Sequence, residues 1–95
     1  MPVVVKPEQK RLTAIIEPSD NVFVALCPEL DLCTQGSTPD AALADLIEMA
    51  LDYSEQYEAE FERFSQSLNR AAHAPYIRAL RANPTAEGVR ALFQD

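Results

Sequence analysis

The sequence has no tryptophan, one histidine, two glycines and two cysteines in its 95 residues, and each scarcity closes off a class of function. Gly36 and Gly88 lie too far apart to build a phosphate-cradling loop or a dinucleotide fingerprint, both of which need glycines where backbone approaches a ligand. A Gly-x-Ser-x-Gly nucleophile elbow is likewise missing. Cys27 and Cys33 fall short of the four ligands of a structural zinc site. They read instead as free thiols packed in the core of a chain that lives in a reducing cytoplasm. His73 stands beside Pro75 in an expected connector, with no Asp or Cys close in sequence, so it reads as a bystander and not as a general base. We therefore expect no catalytic residue, no metal ligand and no cofactor, and a protein that is not an enzyme. The sequence also lacks a basic stretch followed by an apolar leader, and no apolar run approaches the roughly 18 residues that span a bilayer. The expectation is a cytoplasmic protein with no membrane association.

Basic residues are the other shortage. Eight Lys and Arg face fifteen Asp and Glu, a net charge of −7, and the imbalance is concentrated at the front. Residues 1–60 hold three bases against twelve acids, a balance of −9, whereas residues 61–95 hold five arginines against three acids. An acidic front repels phosphate and attracts basic surfaces. The apolar content of 47% is enough for a packed core and argues against disorder. A chain of this length buries only about two-thirds of its unfolded surface, so a partner or self-association would help it.

Residues 11–17 alternate as a strand, with Leu12, Ala14 and Ile16 on one face and Thr13 and Ile15 on the other. Pro18-Ser-Asp-Asn21 signals a turn, and Val22–Cys27, β-branched and aromatic, is an antiparallel second strand ended by Pro28. A loop through Leu32 leads to a short third strand, 33–37. Val3–Val5, bracketed by Pro2 and Pro7, suits an additional edge strand. Thr38-Pro39-Asp40 then combines an N-cap, a proline at N1 and an acid at the positive end of the helix dipole. After it Ala42, Leu43, Leu46, Ile47, Ala50, Tyr53, Tyr57, Phe61, Phe64 and Leu68 form one apolar stripe at helical spacing.

Unbroken to about Arg70, this helix would measure about 50 Å, twice the reach of five- to seven-residue strands at about 3.3 Å per residue. Either the helix bends back near Tyr57–Glu60, or Phe61, Phe64 and Leu68 pack on something else, a second protomer being the simplest. The acids Asp45, Glu48, Asp52, Glu55, Glu58 and Glu62 fall on the opposite, solvated side. Beyond His73, Pro75 starts a short helix through Ala82, Asn83-Pro84 breaks it, and Thr85 caps a last helix bearing Val89, Leu92 and Phe93. The expected class is α+β: three antiparallel strands, four with Val3–Val5, packed on one long helix in the order β-β-β-α, then a short helical tail. Two segments are expected, a strand-strand-strand-helix module over 1–60 and a helical extension over 61–95 that serves as a dimerisation arm or cap.

Thr13-Ala-Ile-Ile-Glu-Pro18, Val22-Phe-Val-Ala-Leu-Cys-Pro-Glu-Leu30, Cys33-Thr-Gln-Gly-Ser-Thr38 and Ala41-Ala-Leu-Ala-Asp-Leu-Ile-Glu48 stand in one order at tight spacing. Together, over residues 11–57, they resemble the HicB family, the antitoxins of HicA–HicB toxin–antitoxin modules. The resemblance implies a partial ribonuclease-H-like fold without the nuclease acids; Glu17, at the end of the first strand, has no obvious carboxylate partners. It also implies a HicA-like toxin as partner, a small basic ribonuclease. The alternatives are a solitary HicB-like protein without a toxin, forming a homodimer or higher oligomer, and a DNA-binding repressor. Full HicB antitoxins carry a DNA-binding domain, and residues 75–82 and 85–94, with Arg78, Arg81 and Arg90, match one only loosely. The residues expected at a protein interface are Glu29, Leu30 and Asp31 in the loop, Asp45, Glu48 and Asp52 on the helix, and Phe61, Phe64 and Leu68 at its overhang.

Overall fold

The computed structural model describes residues 11–93, and the expected edge strand at Val3–Val5 lies outside them. Three strands, β1 (Ile15–Ser19), β2 (Val22–Cys27) and β3 (Leu32–Gly36), form an antiparallel meander in the order β1-β2-β3. The first strand starts later than its sequence pattern suggests and runs through Pro18, which pairs with Phe23. Among the described residues β1 is an edge, where a proline's missing N–H interrupts no ladder on its outer side. The turn is therefore only Asp20–Asn21, with Asp20 at φ 55°, a left-handed conformation that Asp tolerates better than most residues.

The helix α1 spans Pro39–Ala59 and lies across one face of the sheet. Its start follows the cap signal: the Thr38 hydroxyl accepts a hydrogen bond from the Ala41 N–H at 3.0 Å, and Pro39 opens the first turn. Ala42, Leu46, Ile47, Ala50, Tyr53 and Tyr57 are buried along it, against Ala25 and Cys27 of the sheet. Sequestering each large side chain of this stripe contributes about 1.5–3 kcal/mol. Register places Ile16, Ala25 and Thr34 in one row facing the helix, and the Thr34 hydroxyl donates to the Ala42 carbonyl at 2.8 Å.

The two cysteines do not share a face. Cys27 is buried beneath α1, whereas Cys33 is exposed, which corrects the expectation that both pack in the core. The reason is register: Cys27 pairs with Leu32, so Cys33 falls one residue out of step and turns to the other face. Burial, with Glu29 adding to it, pushes the Cys27 thiol up to about 12. The folded protein should therefore react with one equivalent of a thiol reagent near neutral pH and with two in denaturant. Two equivalents without denaturant would contradict this packing.

α1 does not run on to Arg70. It ends at Ala59, Glu60 leaves helical geometry at φ −119° and ψ 41°, and α2 (Phe61–Ser65) and α3 (Leu68–Ala71) turn the chain back. Phe64 returns to the stripe, 5.5 Å from the Tyr57 ring and 6.3 Å from Tyr53, and the Tyr57 hydroxyl donates to the Arg70 carbonyl at 2.9 Å. The last helices, α4 (Ala74–Ala82) and α5 (Ala86–Leu92), both pack against α1. The hydroxyl of Thr85 caps α5 by accepting from the Gly88 N–H. Ile77, Leu80, Val89 and Leu92 join the same hydrophobic cluster as the sheet and α1, and the Leu12 N–H donates to the Leu92 carbonyl at 2.8 Å. No helix among the described residues is long and apolar enough to cross a membrane.

Candidate functional site

The β2–β3 turn carries the first part of the site. Leu30 is 1% exposed and plugs the core, so it presents no surface to a partner, contrary to its expected role. Its inward turn is closed by backbone bonds from Leu30 to Cys27 and from Asp31 to Pro28, and it leaves Asp31, at φ 55°, pointing outward. Glu29 is also committed internally. Its carboxylate accepts from the Thr13 N–H at 2.9 Å and the Thr13 hydroxyl at 2.6 Å, and weakly from the Cys27 thiol. Burial alone would raise this carboxyl, but the Thr13 and neighbouring hydrogen bonds outweigh it and hold it below its ordinary range. Glu29 thus pins the segment before β1 to the loop after β2.

Asp31 reaches the only histidine. His73, buried at the entry to α4, has Nε2 3.3 Å from an Asp31 carboxylate oxygen and Nδ1 2.6 Å from the Tyr53 hydroxyl. Burial raises the Tyr53 phenol, against the opposing pull of the Arg70 guanidinium, so the hydroxyl keeps its proton. The Tyr53 hydroxyl and His73 Nδ1 share one hydrogen bond whose direction follows the imidazole tautomer, and Nε2 faces the Asp31 carboxylate. The chain Tyr53–His73–Asp31 joins α1, the α3–α4 corner and the β2–β3 turn. Arg70 stacks beside it, 5.3 Å from the Tyr53 ring centroid and 5.0 Å from that of Phe64. Asp31 lies forty-two positions before His73 in the chain, so no local spacing revealed the pair.

These groups line a cleft of about 410 Å³ whose mouth includes Asp52, Gln56 and Met49. Met49 and Asp52 continue into a shallower groove with Asp45, Glu48, Thr34 and Gln35. Of the expected interface residues, Asp31, Asp45, Glu48 and Asp52 therefore lie along one strip formed by α1, the β2–β3 turn and β3, an edge strand among the described residues. Exposed Met49, missed in sequence, sits within the strip. Its signal was available: it is an apolar residue outside the buried stripe, beside Glu48 and close to Asp52.

The other expected residues are dispersed. Phe64 is half-buried against Tyr53 and Tyr57 and is not an open contact, whereas Phe61 is exposed. The Leu68 side chain lies outside the description. Arg78 and Arg90 are exposed on α4 and α5, and Arg81 is held by Glu58 at 2.8 Å. No group of three or more His, Cys, Asp or Glu among the described residues is placed to hold a metal ion.

The described residues thus form a small meander covered by one helix, with an acidic strip beside an edge strand. Residues 4–94 match the PHD_like family, described as antitoxins of RelE/RelB toxin–antitoxin systems, and the chain belongs to that family. The fold is also that of a crystallised antitoxin part of a proposed toxin/antitoxin system from Syntrophomonas wolfei subsp. wolfei, with a TM-score of 0.79 and 23% identity. The match covers 88% of this chain and 61% of that one, so this chain spans less than two-thirds of its length. No curated protein matches.

Proposed function

We propose that this protein is an antitoxin that acts by binding, and that it neutralises a small basic toxin through the strip of Asp31, Asp45, Glu48, Met49 and Asp52 beside β3. The observation that carries the reading is the convergence of those four acids on one side of α1, around a half-open cleft, in a chain whose first sixty residues hold twelve acids. A basic partner is steered to such a strip, and Met49 supplies the apolar contact that charge alone lacks. The edge of β3 offers backbone N–H and C=O groups for strand addition at the same place. The ordered motifs that resemble HicB favour a HicA-like toxin, with the fold read as partial ribonuclease-H-like. The family description, which speaks of RelE and RelB, favours a RelE-like one. The strip suits either, since each reading requires a basic surface.

The test is co-purification with the product of the neighbouring gene. Asp45→Lys, Glu48→Lys and Asp52→Lys together should weaken that complex by at least about tenfold, since like charges across an interface are strongly unfavourable. The three side chains are exposed, so the melting temperature should stay close to that of the parent. An unchanged affinity with the parent's melting temperature removes the strip from the interface. The three arginines expected at DNA are a poorer starting point for function: Arg81 is paired with Glu58, which leaves Arg78 and Arg90 exposed on separate helices.

A further inference from the structure

The turn at Glu60 folds Phe64 back into the core but leaves Phe61 outside. Phe61 is 54% exposed, more than any other large hydrophobic among the described residues. It borders a narrow apolar groove of about 170 Å³ between the end of α1 and the start of α4, whose walls are Tyr57, Ala74 and Ile77. The rim is charged: Glu58 holds Arg81 across it, and exposed Arg78 joins no ion pair among the described residues. An occupant suited to this groove brings an aromatic or aliphatic anchor with acids beside it. This chain contains such a segment, because Phe61 stands between Glu60 and Glu62.

We propose that this face docks a second copy of the chain, each Phe61 seated in the other's groove and each Glu62 directed at the other's Arg78. The patch holds an anchor and a receptor, and a negative and a positive group, so a two-fold contact satisfies both halves at once. A central aromatic in a small apolar recess with charged groups around it is the usual form of an energetic hot spot. The rim is mixed in charge, with Arg78 outside any ion pair among the described residues, so the groove lacks the run of acids that the strip offers to a basic toxin.

Sedimentation equilibrium of the full chain over a wide concentration range tests this. The parent should associate to a dimer. Phe61→Ser should raise the dissociation constant by about thirtyfold or more, as loss of a hot-spot aromatic does. Arg78→Glu should also weaken association, and combining it with Glu62→Arg should recover part of the loss. Circular dichroism melts check that each variant still folds, as expected for exposed positions. A parent that stays monomeric throughout overturns the proposal, as does a dimer indifferent to both single substitutions. Should Phe61→Ser weaken the toxin complex while self-association is unchanged, the groove belongs to the toxin and the proposal fails.

Discussion

Gly36→Val is expected to destabilise the fold by about 3 kcal/mol or more, the upper range for forcing extra atoms into a packed site. Gly36 ends β3 where the first turn of α1 lies directly over the sheet. A Cβ there would stand 2.6 Å from the Ala42 nitrogen, 2.8 Å from the Ala41 carbonyl carbon and 2.9 Å from the Ala41 Cβ. Two of those atoms are backbone, so no rotamer change relieves the overlap and the helix start must lift away. Lifting it threatens the bond from Thr34 to the Ala42 carbonyl and parts the two elements that make the acidic strip. Domains of this size hold only about 5–14 kcal/mol in total, so the variant should be largely unfolded at modest urea concentrations. Chemical denaturation followed by circular dichroism measures this, and a midpoint equal to the parent's would show that the helix is not seated on the strand.

Leu80→Ala should cost about 2–5 kcal/mol, since Leu80 on α4 is completely buried. For a domain this small that corresponds to a fall in melting temperature of roughly 8–40 °C. The form of the transition matters as much as its position. Leu80 belongs to the same hydrophobic cluster as Leu46 and Ala25, so one sharp transition should move as a whole. If a first, separate step appeared while the strands kept their signal, residues 61–95 would be an appendage docked on an independent module.

Local chemistry made much of the fold legible. Thr38-Pro39-Asp40 marked the start of α1, Pro75 and Thr85 opened the last two helices, and Val22–Cys27 read as the central strand from its side chains alone. β1 was misplaced because Pro18 reads as a turn residue, whereas an edge position lets it remain in a strand. The end of α1 carries no glycine or proline to announce it. Glu60 breaks the helix because Phe64 and the Tyr57–Arg70 bond reward the reversal, and both are tertiary contacts. The acids of the strip were visible by periodicity, since Asp45, Glu48 and Asp52 share a helix face. Leu30 was misjudged because polar neighbours made its loop look exposed. The Tyr53–His73–Asp31 chain was hidden altogether, because its three members come from separate elements and none shows a local pattern.

The bond from the Leu12 N–H to the Leu92 carbonyl clasps the start of the described chain to its last helix. During folding the segment before β1 can be held by the Thr13–Glu29 bonds as soon as β2 has formed, but its bond to Leu92 closes a much longer loop and waits for α5. The same dependence runs in reverse during turnover. When α5 frays, the Leu12 N–H loses its acceptor, and Leu12 and Leu92 belong to the same hydrophobic cluster. Local opening of the described fold is thus expected at the seam where Leu12 meets α5, among residues other than those of the acidic strip.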